Sequence, residues 1–359
     1  MHFIVKMTRN KNIKRLLVTL IFLCVCIGVC EIFAAFKSLS LARCVTDGNR
    51  YKCHLADVMK MKETERLNYD GQRIDSDGIE QKAFTSKSSN VCLFDTSVDY
   101  SNATHIHKCV DLKIQNLVST PICVYHPSVD VYVSKYIISQ GSWEGVLILE
   151  VVKILQDNPR LSFLDLGCNV GIYTLAVAKF GRKVTALDAN RKNLEMVATS
   201  LVKGNLTENV RLIWNALSDK EETVRFKHRI GNIGALQMVS GMAPINDSRG
   251  EESSKAIVLD DLVPLLRKQS LIIKMDIEAF ELKAMSGGKK FFNEIDVKFL
   301  LMEWVYHRHT DDGARIIQFM IEREFIPVIP LQRLVPLQVV NRKTWPDDIM
   351  WIKSSKQVS

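Results

Sequence analysis

The 359-residue chain has no internal repeat, no low-complexity tract and no stretch where Lys and Arg cluster with stacking aromatics. The first two absences exclude a solenoid, a propeller and a wholly disordered polymer. The third removes nucleic acid as a partner, because a basic binding face needs clustered cations. The formal net charge of +8 is local in origin: Lys6, Arg9, Lys11, Lys14 and Arg15 stand in the first fifteen residues, where there is no acid. Nine cysteines are present, but the gaps between Cys44, Cys53, Cys92, Cys109 and Cys123 do not have the spacing of a zinc site. What remains is ordinary for a globular protein with a real core, 47% hydrophobic and 25% charged.

Behind the basic start, residues 16–36 carry one charge, Glu31. At ~1.5 Å of rise per residue such a run spans a bilayer, and positive flanks stay cytosolic. The expectation is a cytosolic tail (residues 1–15), a signal-anchor (16–36) and a lumenal remainder: a single-pass type II protein of the endoplasmic reticulum or Golgi. A cleaved signal peptide, giving a secreted protein, is the alternative. Asn102, Asn205 and Asn246 head Asn-x-Ser/Thr triplets, as a glycoprotein of that route would have. The five cysteines between the anchor and the main domain predict one or two disulfides and a leftover thiol. Residues 37–90 read as a polar stem, 91–144 as a small N-terminal subdomain, and 145–359 as the main domain.

In the main domain, residues 161–166, 183–187, 210–215, 271–275 and 299–302 read as buried strands. Residues 146–155, 172–180, 191–202 and 280–285 have helical spacing. An inserted hairpin is expected from 224–226 and 235–239, and closing strands at 325–329 and 349–353. Strands alternating with helices predict a parallel sheet covered on both faces.

Three motifs fall at the ends of those strands. Asp165-Leu-Gly167-Cys168-Asn169-Val-Gly171 lies between a strand and a helix. Its glycines permit a sharp turn, and the helix start supplies free N–H groups. The spacing is not the G-x-G-x-x-G of a dinucleotide turn, and an acid at Asp165 suits a cationic ligand better than a pyrophosphate. Asp188 and Asn190 end the second strand about twenty residues later, where a carboxylate can accept from both hydroxyls of a ribose; capping of the next helix is the plainer role. Lys274-Met-Asp276-Ile-Glu278-Ala-Phe-Glu281 runs from a strand into a helix, at the sheet edge where open α/β sheets bind ligands.

These motifs, with Leu301-Met-Glu303-Trp304 and a leader of Asp130-Val-Tyr-Val-Ser134 and Gly141-Ser-Trp-Glu144, resemble the FkbM family of methyltransferases over residues 126–353. Ala279 departs from the family's usual glycine, a small change, and Asp188 stands where Glu is common. The resemblance implies a Rossmann-like seven-stranded sheet, mostly parallel with the last strand antiparallel. It also implies S-adenosyl-L-methionine as cofactor and methyl transfer to a hydroxyl. Cofactor-binding candidates are Glu144, Asp165, Gly167, Asn169, Gly171, Asp188, Asn190 and Asn215.

A hydroxyl acceptor calls for a general base. Asp276 is the first choice, with Glu278, Glu303 and His307 as alternatives. Asp276 and Glu303 also offer hard oxygen ligands to a divalent metal, which is not the favoured reading. The compartment points to a glycan or glycoconjugate acceptor. Competing readings are a Golgi glycosyltransferase, with Asp75-Ser76-Asp77 as its metal motif, and a non-catalytic lumenal binding protein.

Overall fold

The computed structural model describes residues 45–47, 50–52, 90–115, 118–229, 232–238 and 251–354. The chain divides into two units, 1–83 and 84–359. In the first, Val45–Asp47 and Arg50–Lys52 pair antiparallel. The expected anchor and the stem from residue 53 to 89, with Asp75-Ser76-Asp77, lie outside the described residues. Among the described residues no helix is long and apolar enough to cross a membrane.

The second unit opens with β1 (Leu93–Phe94), then the hairpin β2 (Lys108–Ile114) and β3 (Val118–Val124). Cys109 and Cys123 are register partners in that hairpin and form a disulfide. Cys92 and Cys168 are free. Helices α1 (Val133–Gln140) and α2 (Gly145–Asp157) follow. Asp130 accepts the N–H groups of Tyr132, Val133 and Ser134 and so starts α1.

The alternating part then runs β4 (Leu161–Leu166), α3 (Ile172–Lys179), β5 (Val184–Asp188), α4 (Arg191–Gly204) and β6 (Val210–Trp214). An insertion follows: β7 (Ala216–Leu217), β8 (Glu222–Arg229), β9 (Asn232–Met238) and β10 (Glu251–Ile257), a separate four-stranded sheet. Next come α5 (Val263–Leu266), β11 (Ser270–Met275), α6 (Glu281–Ser286), α7 (Lys289–Glu294), β12 (Asp296–Glu303), α8 (Asp311–Ile321), β13 (Phe325–Ile329), β14 (Gln332–Pro336) and β15 (Asp348–Lys353).

The main sheet has nine strands in the order β14-β13-β15-β12-β11-β4-β5-β6-β1. Strands β6, β5, β4, β11 and β12 are parallel neighbours. The closing strand β15 runs antiparallel between β12 and β13. Seven strands therefore match the expected mostly parallel sheet with an antiparallel last strand, and β1 and β14 extend it at the edges. Side chains alternate across this sheet. Phe163 of β4 and Ile272 of β11 join α2, α3, α4 and the β2–β3 hairpin in one core. Leu164, Leu166, Ile273 and Met275 join α5 to α8 in the other.

The chain reverses its direction of winding at β4, whose two neighbours are β5 and β11. At such a switch point the loops leaving adjacent strands diverge and open a crevice at their carboxyl ends. All three sequence motifs come from β4, β5 and β11, so the fold delivers them to one place.

Candidate functional site

A cavity of about 610 Å³ lies at that switch point. The turn after β4 forms its floor. Gly167 and Cys168 donate their N–H groups to the Leu187 carbonyl (2.9 and 3.1 Å), which ties the turn to β5. Gly167 has φ of +86°, and a Cβ there would meet the Asp276 carbonyl oxygen at 1.9 Å. The glycine is thus required by the close approach of the loop after β11. Gly171, with φ of +87°, is required by Val197 of α4, which a Cβ would meet at 2.8 Å. It starts α3 and stands outside the cavity lining, so its place here is that of a turn and packing residue.

Asp188 ends β5 and lines the cavity while only 5% exposed. Its Oδ1 accepts from the Asn190 N–H (2.8 Å) and the Asn193 Nδ2 (3.2 Å), and its Oδ2 from the Asn169 N–H (2.8 Å). An acceptor oxygen has two lone pairs, so Oδ1 is saturated and Oδ2 retains one. The expected two-pronged grip on a ribose is reduced to a single acceptor position. Burial pushes this carboxyl up to about 7 despite its three donors. Asn169 also lines the cavity, and its Oδ1 is buried with no hydrogen-bond partner. An orphaned buried acceptor costs free energy unless a ligand supplies the donor.

Four other candidates have different duties. Asp165 is 1% exposed on the α3 side of β4, where its Oδ2 accepts from the Thr174 hydroxyl at 2.6 Å; it does not line the cavity. Burial raises its carboxyl to about 6, against the pull of Lys274. Asn190 caps α4 through the Lys192 N–H (3.0 Å) and is also outside the cavity wall. Asn215 touches the cavity, but its amide is occupied by the backbone of Cys92, Asn90 and Lys255. It splices three chain segments together. His307 is no solvated loop residue and no cavity base: it is 2% exposed, and its Nε2 is 2.7 Å from Glu281 Oε2. Glu281 in turn accepts the Ile277 N–H (2.9 Å) and so braces the loop that carries Asp276 and Glu278.

That loop, Glu144, Glu303 and Lys274 form the other wall. Lys274 Nζ donates to Asp276 Oδ2 at 2.7 Å and lies 4.8 Å from the Tyr173 ring centroid. Burial alone would lower the ammonium; Asp276, Glu144 and Asp165 override it and hold Lys274 above its usual range, fully charged. Glu144 accepts from the Tyr173 hydroxyl (2.7 Å) and the Trp143 indole (3.1 Å). Glu303 faces Asp348 across the β12–β15 register. Burial first, then Asp276, Glu278 and Asp348, push Glu303 well above the carboxylate range, and burial with Glu144 lifts Asp348 to about 7. Glu278 and Ala279 both have left-handed backbones, at φ +56° and +70°. The alanine is therefore not a small change: outside glycine this conformation costs ~1–2 kcal/mol, strain of a kind that concentrates at functional sites. Among the described residues no group of three or more His, Cys, Asp or Glu could hold a metal ion.

No family model matches the chain, and no curated protein matches it. Among solved structures it is similar to an O-methyltransferase from Bacillus cereus in complex with SAH, at 12% identity over 59% of this chain and 82% of that one, with a TM-score of 0.36. A SAM-dependent O-methyltransferase from Thermotoga maritima gives 10% identity, coverage of 71% and 80%, and a TM-score of 0.34. An rRNA methylase from Streptococcus thermophilus gives 14%, coverage of 59% and 96%, and 0.32. The reaction is accordingly assigned from the chain's own residues.

Several wall residues lie outside the candidates drawn from sequence, three aromatic ones among them, and Lys274 had been left without a role. Trp143, Tyr173 and Tyr306 line the cavity. Tyr173 is the second residue of the helix after the glycine loop, a position with no signal beyond its hydrophobicity. Lys274 stood out in its motif, but its ion pair with Asp276 depends on the strand ending between them.

Proposed function

We propose that the chain is an S-adenosylmethionine-dependent O-methyltransferase of the secretory lumen, acting on a hydroxyl of a glycan or glycoconjugate. One observation carries the reading: a switch-point cavity whose wall, among the described residues, holds the carboxyl groups of Glu144, Asp188, Asp276, Glu278 and Glu303 and one cation, Lys274. A pyrophosphate would be repelled by that wall, which disfavours both dinucleotides and nucleotide-sugars. A sulfonium with its ammonium is attracted to it. Asn169 Oδ1 and the open lone pair of Asp188 Oδ2 are acceptors suited to the hydroxyl and ammonium donors of such a ligand.

Support for the compartment comes from the disulfide Cys109–Cys123, a bond that persists in oxidising surroundings. Asn102 and Asn205 are exposed, as glycan acceptors must be, while Asn246 lies outside the described residues. The basic start and apolar run of residues 1–36 supply the anchor and orientation. A lumenal enzyme meets glycoproteins and glycolipids, which is why a glycan hydroxyl is the acceptor of choice.

When bound, the cofactor supplies a methyl group already activated by a positive sulfur. The protein must then hold the acceptor in line and take its proton. Asp276, the first choice from sequence, has its Oδ2 engaged by the Lys274 ammonium at 2.7 Å, which commits it to positioning. Glu303 lies instead among carboxylates: burial first, then Asp276, Glu278 and Asp348, give it high proton affinity. Glu303 is therefore the base, and the Lys274–Asp276 pair orients the acceptor hydroxyl.

Incubating the full chain with methyl-labelled S-adenosylmethionine and a panel of free oligosaccharides tests this. Label should appear as an alkali-stable ether, at a rate that rises with pH as Glu303 ionises, and Glu303→Gln should lower it by about 10²–10⁴-fold. Label in an alkali-labile ester, or none transferred, contradicts the reading. Asp188→Asn tests the cofactor end. Whichever way the new amide turns, its NH₂ meets an N–H donor that the carboxylate now accepts. S-adenosylhomocysteine affinity should fall by about ten- to a hundredfold in calorimetry, from the ~1.5–3 kcal/mol of a charged hydrogen bond; an unchanged affinity would remove Asp188 from the site.

A further inference from the structure

Asp188 is held by a chain of hydrogen bonds that begins in the β2–β3 hairpin, outside every motif. Tyr125 directly follows β3 and is 1% exposed. Its hydroxyl donates to Asn193 Oδ1 at 2.7 Å. Asn193, also 1% exposed, donates through Nδ2 to Asp188 Oδ1 at 3.2 Å. Asn190 Nδ2 approaches the Tyr125 hydroxyl oxygen at 3.5 Å from the other side.

The direction of these bonds matters more than their number. An amide side chain has a donor end and an acceptor end, and only its neighbours decide which points where. The Tyr125 hydroxyl needs an acceptor, so it claims Asn193 Oδ1 and turns the NH₂ toward Asp188. Without that hydroxyl, the buried Asn193 Oδ1 loses its donor and the amide is held from the Asp188 side alone, so its NH₂ is no longer fixed on the carboxylate.

We infer that Tyr125 and Asn193 are positioning residues for cofactor binding: the tyrosine hydroxyl fixes the asparagine amide, which fixes the Asp188 carboxylate with one oxygen saturated and the other open to ligand. The disulfide-closed hairpin is thereby part of the cofactor site, although it lines none of the cavity at Tyr125. Tyr125 is held in place from the same side: its N–H donates to Ser134 Oγ at 3.2 Å, and the Cys123 N–H donates to Ser200 Oγ of α4 at 2.8 Å.

The inference rests on the methyltransferase reading, and calorimetry with S-adenosylhomocysteine separates the two. The full chain, Tyr125→Phe, Asn193→Ala and the double variant are titrated from pH 5.5 to 8.5, with melting curves to confirm folding. Tyr125→Phe should weaken binding about tenfold, and the double variant should bind no worse than Asn193→Ala alone, because both act through one bond. The pH midpoint of affinity should also move upward in Tyr125→Phe. Asp188 loses a donor that favours its charge, while burial and Asp165, which disfavour it, remain; the buried Cys168 thiol is the other titratable neighbour. A merely structural tyrosine would lower the melting temperature without moving that midpoint.

Unchanged affinity, additive losses or an unmoved midpoint overturns the positioning role while leaving the methyltransferase reading intact. Should Tyr125→Phe not fold, Asn193→Ala carries the same midpoint test. No binding by the unaltered chain would overturn both.

Discussion

Replacing Gly167 with alanine is expected to destabilise the protein by about 2–5 kcal/mol and to abolish cofactor binding, as read by thermal melting and calorimetry. A left-handed backbone costs an alanine ~1–2 kcal/mol, and overpacking a filled site adds ~1–3 kcal/mol. The added Cβ would stand 1.9 Å from the Asp276 carbonyl, so the loops after β4 and β11 must separate. That movement carries Asp276 away from the turn it closes. Gly181→Ala is the control: it shares a positive φ, of +85°, but nothing lies within 4 Å of its Cβ. It should cost only the backbone penalty and leave binding intact. Equal losses from the two variants would contradict the close-approach argument.

The ligand-free protein is expected to grow less stable as pH rises from about 4 to 7.5. Asp165 is raised from 3.8 to about 6, and Asp188 from 3.8 to about 7, both mainly by burial. Each binds its proton more tightly folded than unfolded. Between the two values the folded chain therefore holds more protons, and stability falls with pH. At ~1.4 kcal/mol per unit the two buried groups together account for a loss on the order of 7 kcal/mol. Glu303 and Asp348, more accessible, act in the same direction. A bound cation favours the ionised carboxylates, so S-adenosylmethionine should flatten the curve. A melting temperature that climbs steadily across this range would contradict the burial of unneutralised acid.

Much of the fold was legible because buried parallel strands are short apolar runs closed by turn residues. Residues 161–166, 210–215 and 271–275 were read within a residue or two of β4, β6 and β11. Helix α8 was not anticipated: its first turn, Asp311 and Asp312, looks like loop until Thr310 is seen capping the Gly313 N–H. At the site, Asp188 and the glycine turn were legible since both need a residue type at a strand end. Asn190, Asn215 and His307 have protein partners that the sequence could not show, for a common reason. A polar side chain that serves a ligand and one that serves the backbone look alike until its partners are known. Asp348 carried a usable signal, as an acid opening a strand, but its place opposite Glu303 depends on the antiparallel register of β15. Tyr125 lies 63 residues before Asp188 in the chain and has no sequence signal as its support.

The central claim is that this acid-lined crevice accepts a cationic sulfur cofactor and rejects an anionic dinucleotide. Isothermal titration of the full chain with S-adenosylmethionine, S-adenosylhomocysteine and NAD tests it most directly. Saturable binding of the first two, with no heat from NAD, is the predicted result; binding of NAD, or of none of the three by folded protein, would contradict it.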